Sequence, residues 1–262
     1  MKKISIIGGG NMGFALARGF IKENFNIIVC DKRVSLADKY RAENIPFTDN
    51  SQKALQGAHF VILAVKPQDA KSLAESIKEY IEKEAVLVSI MGGIKMQNIS
   101  NYFQSKKIVR IMPNLPTTKL KGMSVWTCSE SLSSEEKETI KKLLSSVGKE
   151  IFTETEDMID SATSVSGSGP AYFFLFLKSL IDSARKEGFS SEEAKLLALQ
   201  TGLGAIELAY DNDLDELIQQ VASKGGTTER ALKVFAEEKF TAIVEKAVQA
   251  AKKRAQEMSE KF

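Results

Sequence analysis

The sequence has few of the residues on which the commonest catalytic and metal sites depend. Its 262 residues include one histidine, His59, and two cysteines, Cys30 and Cys128. A single histidine rules out a site built from several histidines, and it leaves a Ser-His-Asp triad only if His59 is the base. The cysteines lack metal-ligand spacing and argue against a disulfide framework, so we interpret them as packing residues. We therefore expect no metal site and a reducing, cytoplasmic location.

Long apolar runs and a strong charge of one sign are also missing. No apolar run approaches the roughly 20 residues that span a bilayer. The apolar stretch after the basic start breaks at Gly8, with no small-residue cleavage site behind it, which argues against a signal peptide. Acidic and basic residues are interspersed and sum to a net charge of +2, which indicates neither a nucleic-acid nor a membrane partner. A chain of 262 residues is long enough to form two domains.

In the first half of the chain, short apolar runs alternate with helix-type segments. Continuous apolar runs are typical of strands that are buried on both faces. The alternation predicts a parallel sheet with helices on both faces. The predicted strands are 3–7, 27–30, 60–65, 86–90 and 108–112, and the clearest helical segments are 11–22 and 70–81.

The pattern changes near Thr155, after which we find no convincing strand. Residues 170–186 form a helix that is apolar almost all round, at Phe173–Leu177, so it must be buried on several sides. A domain of about a hundred residues rarely supplies enough neighbours, so we infer that a second chain covers part of it. N-caps are predicted at Ser190 with Glu193, at Asp213 with Glu216, and at Thr227 or Thr228. The predicted domains are therefore 1–154, α/β, and 155–262, all-helical.

A glycine loop follows the first predicted strand and opens the first helix. Gly8, Gly10 and Gly13 match G-x-G-x-x-G, and this structural setting is typical of dinucleotide sites. Gly8 permits the tight turn, Gly10 allows the pyrophosphate to approach, and Gly13 lets the helix pack on the strand. The helix N-terminus offers free N–H groups to the phosphates. We expect the loop residues Ile7, Gly8, Gly9, Gly10, Asn11, Met12 and Gly13 to bind a dinucleotide.

The residues at the end of the second strand give two conflicting indications about the cofactor. Asp31 stands where an acidic residue accepts hydrogen bonds from the adenosine ribose, which favours NADH. Lys32 and Arg33 follow it and could pair with the 2′-phosphate of NADPH, or they could simply be solvated. The sequence leaves the choice between NADH and NADPH open.

Four further segments stand out in the sequence. They are Ala-Val-Lys-Pro-Gln at 64–68, Arg-Ile-Met-Pro-Asn-Leu-Pro at 110–116, Ser-Gly-Ser-Gly-Pro-Ala-Tyr at 166–172 and the Gly-Gly-Thr-Thr run within 221–232. In this order and spacing they make the chain resemble the pyrroline-5-carboxylate reductase family over nearly its whole length, and the last two are the most specific. The resemblance implies a Rossmann-like NAD(P)-binding domain followed by an all-helical dimerisation domain. It also implies a homodimer, which in the family commonly assembles further into decamers.

The activity that the resemblance implies is reduction of 1-pyrroline-5-carboxylate to L-proline by hydride transfer from NADPH or NADH, the last step of proline biosynthesis. No metal or covalent nucleophile is needed, because a protonated imine is already electrophilic. The resemblance adds cofactor-binding residues at Asn50, Ala64, Val65, Lys66, Pro67, Ile90, Met91 and Gly92. It places the substrate carboxylate on Ser223, Gly225, Gly226, Thr227 and Thr228, at a helix N-terminus that suits an anion. Thr228 matches the threonine that reaches the ring nitrogen, which makes it our candidate catalytic residue, although a plain N-cap would also account for it.

One residue departs from the family pattern. Lys224 stands where the family usually has proline, so the loop is freer and carries an added charge. Two other functions fit the same fold: a related dehydrogenase or imine reductase, and a non-catalytic cofactor sensor. Such dehydrogenases generally use a lysine at the start of the interdomain helix, where this chain has Tyr172, and a sensor would not need the retained loop at 223–228.

Overall fold

The computed structural model describes residues 2–261 and divides into two compact units. The first unit is formed by the described part of Met1–Ser168 together with that of Ala251–Phe262, and the second is Gly169–Ala250. Within the described residues, no helix is both long and apolar enough to cross a membrane.

An eight-stranded sheet forms the centre of the first unit. Its strands are β1 Lys3–Ile7, β2 Asn26–Cys30, β3 Phe47–Thr48, β4 Phe60–Leu63, β5 Val86–Ser89, β6 Ile108–Met112, β7 Gly122–Cys128 and β8 Gly148–Phe152. Their order in the sheet is β3-β2-β1-β4-β5-β6-β7-β8. Every neighbouring pair is parallel except β6 with β7. The predicted parallel sheet is confirmed for the five strands that the sequence identified, and the reversal falls at β7, which the sequence did not predict. The direction can reverse there because a short connection, largely a 3-10 turn at Leu115–Lys119, joins the two strands.

Apolar cores lie on both sides of this sheet, as the continuous apolar runs predict. Ile6 and Ile62 belong to one buried cluster, whereas their neighbours Ile7 and Leu63 belong to another. Successive side chains of a strand point to opposite faces, so each strand supplies both cores. The helices of this unit are α1 Asn11–Lys22, α2 Ala37–Arg41, α3 Ser51–Leu55, α4 Ala70–Ile77, α5 Met96–Phe103, α6 Ser134–Ser145 and α7 Asp157–Ala162.

Most predicted elements of the first unit appear with small changes at their ends. β1, α1 and β6 have the predicted bounds, while β4 and β5 end earlier than expected. The helix predicted over 70–81 ends at Ile77 and continues as a 3-10 turn at Lys78–Tyr80. A π-helical turn at Thr163–Gly167 follows α7 and lies just before the second unit, which begins at Gly169.

The second unit is all-helical, as predicted. Its elements are α8 Gly169–Lys186, α9 Ser191–Ala209, α10 Leu214–Val221, α11 Thr227–Glu237 and the first half of α12 Phe240–Lys261. Ser190 and Glu193 form the predicted reciprocal capping box, and the Asp213 carboxylate accepts from two N–H groups of α10. The N-cap predicted at Thr227 or Thr228 is wrong. The N-cap residue of α11 is Gly226, whose backbone is extended. The Glu229 carboxylate accepts the N–H of Gly225 and so holds the turn before this cap.

Helix α8 is largely exposed within the single chain. Gly169 is its only buried residue among those described, and Phe173 and Leu175 are 61% and 67% exposed. A monomeric soluble protein rarely leaves a contiguous apolar surface of this kind open to water. The burial expected for this helix therefore has to come from outside the chain.

The compact units do not coincide with the domains expected at 1–154 and 155–262, because residues 155–168 and 251–262 fall with the first unit. The cause is a buried polar cluster. Arg110 of β6 forms ion pairs with Glu156 and Asp160 beside and within α7, and Ser259 of α12 donates to Asp160. Breaking such a pair would leave a buried charge unpaired, so these segments stay together. The expected division by function remains a prediction.

Candidate functional site

The glycine loop between β1 and α1 has the backbone geometry that its glycines require. Gly8 has a φ of +110°, and a Cβ built there would lie 2.4 Å from the Ala64 carbonyl oxygen. A Cβ on Gly13 would lie 2.1 Å from the Gly8 carbonyl oxygen. Any side chain at either position would collide with backbone, so the turn and the close helix packing are confirmed.

Gly9, which lies between Gly8 and Gly10, has to be glycine for a different reason. A Cβ on Gly9 would lie 3.2 Å from both the Asp31 Cβ and the Tyr40 hydroxyl oxygen. Tyr40 is fully buried, and its ring packs against Phe14 and Phe47. The absence of a side chain at Gly9 therefore lets the loop pack closely against this aromatic cluster.

Gly10 faces open space, which is what a pyrophosphate needs. The nearest atom to a Cβ built there is the Arg33 Nη2, at 4.0 Å. Gly10 is also the N-cap of α1 and offers no side-chain cap, so no side chain of that residue occupies the first N–H groups of the helix. The residues present thus fit a dinucleotide: an open approach, free donors and the positive end of a helix dipole.

Asp31, at the end of β2, is engaged entirely with its neighbours. Its Oδ1 accepts from the Arg33 backbone N–H and Nε, both at 2.9 Å. Its Oδ2 accepts from the Gly9 N–H at 2.7 Å and from the Arg33 Nη2 at 2.6 Å. A carboxylate has about four acceptor sites, and all are used here. The Asp31 side chain is 7% exposed, whereas that of Arg33 is 56% exposed and lies beside Gly10.

These contacts lower the pKa of Asp31. Burial alone would raise it, but hydrogen bonds from the Arg33 side chain, the Arg33 N–H and the Gly9 N–H outweigh burial and bring the pKa to about 2. Asp31 is therefore ionised at neutral pH, where it pairs with Arg33.

We expect Asp31→Asn to destabilise the protein in a pH-dependent way. A carboxyl whose pKa is lower when folded stabilises the fold above its ordinary value of 3.8, and that contribution disappears as the pH falls towards about 2. The wild type should exceed the variant in free energy of unfolding at neutral pH, and the difference should shrink between pH 3.8 and about 2. Urea unfolding over a pH series measures this, and a constant difference would contradict it.

A cleft of about 610 Å³ opens at the carboxyl ends of β1, β2 and β4. This volume is typical of a small-molecule site, and this edge is where ligands of such sheets lie. Many of the predicted cofactor residues line it together, namely Ile7, Gly8, Gly10, Asp31, Lys32, Arg33, Ala64, Val65 and Lys66.

Other predicted cofactor residues lie around the cleft without lining it. Asn50 caps α3 by accepting the Lys53 N–H, and the adjoining residues Asp49 and Ser51 line the cleft in its place. Met91 is buried in the core, so only its backbone could reach a ligand, whereas Gly92 has open space around it. The remainder, Gly9, Asn11, Met12, Gly13, Pro67 and Ile90, belong to the adjoining turns and helix starts.

The cleft also has lining residues that the sequence analysis missed. They are Cys30, Asp49, Ser51, Asp69, Ser72, Leu73, Ser76 and Ile77. Asp49 and Ser51 follow β3, whose two residues are too few to give a periodic signal. Burial, followed by the charges of Asp31 and Asp49, raises the pKa of the Cys30 thiol to about 11. Cys30 is therefore a neutral packing residue, as predicted.

The predicted substrate segment, 223–228, lies in the second unit and consists of the end of the connection between α10 and α11 and the first two residues of α11. Gly225 has a φ of +74°, and a Cβ on Gly226 would lie 2.6 Å from the Ser223 Oγ. The N–H groups of these two glycines are already used, by the Glu229 carboxylate at 2.6 Å and by the Ser223 carbonyl at 2.9 Å. The donors left for an anion are the first N–H groups of α11 and the side chains of Ser223, Lys224, Thr227 and Thr228.

Comparison with known proteins identifies what these features belong to. The family model described as "Pyrroline-5-carboxylate reductase dimerisation" matches residues 156–258, and the one described as "NADP oxidoreductase coenzyme F420-dependent" matches residues 3–93. A pyrroline-5-carboxylate reductase of Pseudomonas aeruginosa is 34% identical over 270 residues, which cover 99% of this chain and 98% of that protein. The chain belongs to the pyrroline-5-carboxylate reductase family.

Solved structures of pyrroline-5-carboxylate reductases have the same fold. One from Coxiella burnetii superimposes with a TM-score of 0.91 at 32% identity, covering 98% of both chains. One from Plasmodium falciparum, with NADP bound, gives 0.86 at 29% identity, again covering 98% of both. The predicted family and the predicted fold class, a Rossmann-like α/β domain followed by an all-helical dimerisation domain, are confirmed.

Proposed function

We propose that this chain reduces 1-pyrroline-5-carboxylate to L-proline with NAD(P)H, the last step of proline biosynthesis. The observation that carries the proposal is that an open dinucleotide cleft and a glycine-threonine anion loop occur together in one member of this family. When bound, the dinucleotide supplies the hydride that reduces the C=N bond of the imine. The protein contributes binding, orientation and hydrogen bonds.

The first unit holds the dinucleotide. The first N–H groups of α1 bind the pyrophosphate past the open face of Gly10, and Ala64–Lys66 line the wall beside it. The turns after β4 and β5 lie at the same edge of the sheet, since Leu63 pairs with Ser89. We assign Ala64–Pro67 and Ile90–Gly92 to cofactor binding on this ground.

The second unit holds the substrate. The N-terminus of α11 binds the imine carboxylate through the free N–H groups of its first turn, with the Ser223 and Thr227 hydroxyls beside it. The Thr228 hydroxyl oxygen accepts a hydrogen bond from the N–H of the protonated ring nitrogen, which keeps the imine oriented. We propose that the functional domains are 1–154 for the cofactor, and 155–262 for dimerisation and substrate.

We further propose that NADPH is the preferred cofactor. The Asp31 carboxylate has no acceptor site left for a ribose hydroxyl, and it holds the half-exposed Arg33 guanidinium beside Gly10. A guanidinium fixed by a carboxylate is a suitable partner for a 2′-phosphate. Lys32 lines the same cleft and adds a second cation.

The assembly that we propose is a homodimer in the cytoplasm, with dimers assembling further into decamers. The open apolar face of α8, together with exposed leucines such as Leu196 and Leu203 of α9, supports the dimer. Two free cysteines fit a reducing compartment. Light scattering of the purified chain measures the assembly, and a monomer at micromolar concentration would contradict it.

A direct assay tests the proposed activity. Purified protein should oxidise NADPH only when 1-pyrroline-5-carboxylate is added, as followed by the loss of nicotinamide absorbance, and NADH should react less well. Saturating imine with no loss of absorbance under either cofactor would refute the activity. Turnover of a β-hydroxy acid instead would assign the chain to a different reaction.

A further inference from the structure

The last turns of α12 pack against the connection between β5 and α5. Ala255 and Ser259 are buried residues of these turns. A Cβ built on Gly93 would lie 3.1 Å from the Met258 Cβ and 3.3 Å from the Met258 carbonyl carbon. Gly93 has a φ of +77°, so it is glycine both for its backbone conformation and for this contact. The end of the chain therefore supports this connection directly.

The same helix end is tied to the other end of the connection by a buried polar cluster. The Ser259 hydroxyl donates to both oxygens of Asp160, each at 3.1 Å. Asp160 accepts from the Arg110 Nη2 at 2.8 Å, and the Arg110 Nη1 donates to the Glu156 Oε1 at 2.9 Å. That Glu156 oxygen also accepts the N–H of Met96, the first residue of α5, at 2.7 Å. The connection is thus held at Gly93 by α12 and at Met96 through this cluster.

The connection itself lies where a dinucleotide is expected. It follows β5, whose neighbour β4 leads into the cleft wall at Ala64–Lys66. Met91 and Ile94 anchor it in the core, while Gly92 between them has no atom within 4 Å of a built Cβ. An anchored turn with one open glycine at the carboxyl edge of the sheet can present backbone to a ligand.

We propose that the C-terminal turns of α12 position the connection at 90–95 for dinucleotide binding, with Met258 and Ser259 as positioning residues. The inference rests on the proposed function, since it takes Ile90–Gly92 as part of the cofactor site. It predicts that side chains at the far end of the sequence control the affinity for cofactor without touching the reacting atoms.

Ser259→Ala tests this in the full chain. NADPH binding is titrated by nicotinamide fluorescence without imine, and steady-state rates are measured separately. Losing a buried hydrogen bond to a charged group should weaken NADPH binding about 3- to 10-fold. The turnover number at saturating cofactor should stay within about twofold. Glu260→Ala, an exposed neighbour in the same turn, is the matched control and should leave the binding unchanged.

A double-mutant cycle separates positioning from general destabilisation. Gly93→Ala forces the turn away from Met258, and Gly57→Ala carries similar backbone strain at a φ of +68° with open space around it. If α12 positions the turn, the double variant that combines Gly93→Ala with Ser259→Ala should weaken NADPH binding by less than the product of the two single effects. Gly57→Ala should leave NADPH affinity within about twofold.

Two results would each overturn the inference: unchanged NADPH affinity in Ser259→Ala with only a lower Tm, or independent effects in the cycle. The binding assay contains no imine, so a wild type that binds NADPH but does not reduce 1-pyrroline-5-carboxylate refutes the proposed function and leaves this test intact. A wild type that binds no dinucleotide refutes both.

Discussion

Replacing Thr228 with alanine is expected to lower kcat with 1-pyrroline-5-carboxylate by about 100-fold while leaving NADPH binding unchanged. A positioned group that hydrogen-bonds or transfers a proton to a reacting atom contributes roughly 10²-fold or more. Thr228 is the second residue of α11, and Gly226 already caps that helix. The Thr228 hydroxyl is therefore not used as the N-cap and is available to the substrate. The measurement is steady-state kinetics with each substrate varied in turn.

Two further variants of Thr228 distinguish the role of its hydroxyl group from the role of its side-chain shape. Thr228→Ser keeps the hydroxyl and should recover most of the turnover, whereas Thr228→Val keeps the shape and should behave like alanine. Thr227→Ala is the neighbouring control. We expect it to raise KM for the imine more than it lowers kcat, because Thr227 is assigned to carboxylate binding. A kcat in Thr228→Ala within threefold of wild type would rule out our catalytic assignment.

The parts of the site that could be predicted from sequence are those in which a residue type is forced by the backbone. Gly8 and Gly13 have to be glycine because a Cβ at either would strike a carbonyl oxygen. The spacing of the glycines, together with the apolar strand before them and the helix after them, therefore identifies the loop. The strands β4 and β5 are buried on both faces and could be recognised by their continuous apolar runs.

Elements whose pattern depends on their neighbours were not predicted. β8 lies at the edge of the sheet and carries Lys149 and Glu150, so it has no apolar signature. β7 buries Ser124 and Thr127, which interrupt the apolar run that a central strand usually has. Ser259 lies in a Lys- and Glu-rich stretch whose composition is typical of a solvated helix face, and its partner Asp160 lies far away in the sequence, so nothing local indicates its burial.

The choice of cofactor shows the same limit most clearly. Asp31, Lys32 and Arg33 could all be identified from sequence as candidate cofactor residues. Asp31 favoured NADH, however, whereas Lys32 and Arg33 favoured NADPH. Hydrogen-bond geometry supports the NADPH proposal, because Arg33 and Gly9 take up all the acceptor sites of Asp31. An acidic residue at the end of β2 is thus compatible with NADPH when a nearby arginine engages it.

We therefore expect Arg33→Ala to lower kcat/KM for NADPH by about 10- to 100-fold, the range for a charge-assisted hydrogen bond to phosphate. The same change frees acceptor sites on Asp31, so kcat/KM for NADH should hold or rise. The ratio of the two values, measured at one salt concentration, reports the 2′-phosphate contact separately from any general damage to the cleft.

Lys32→Ala is the matched control. Lys32 lines the same cleft, but the four hydrogen bonds that Asp31 accepts come from Arg33 and Gly9 and not from Lys32. Its effect on the ratio should be several times smaller. Arg33→Lys keeps the charge but loses the fork that engages both oxygens of Asp31, so its ratio should fall between wild type and alanine. If Arg33→Ala left the ratio within threefold of wild type, the 2′-phosphate would have to be bound elsewhere. The Asp31–Arg33 pair would then serve only to hold the glycine loop in place through the Gly9 N–H.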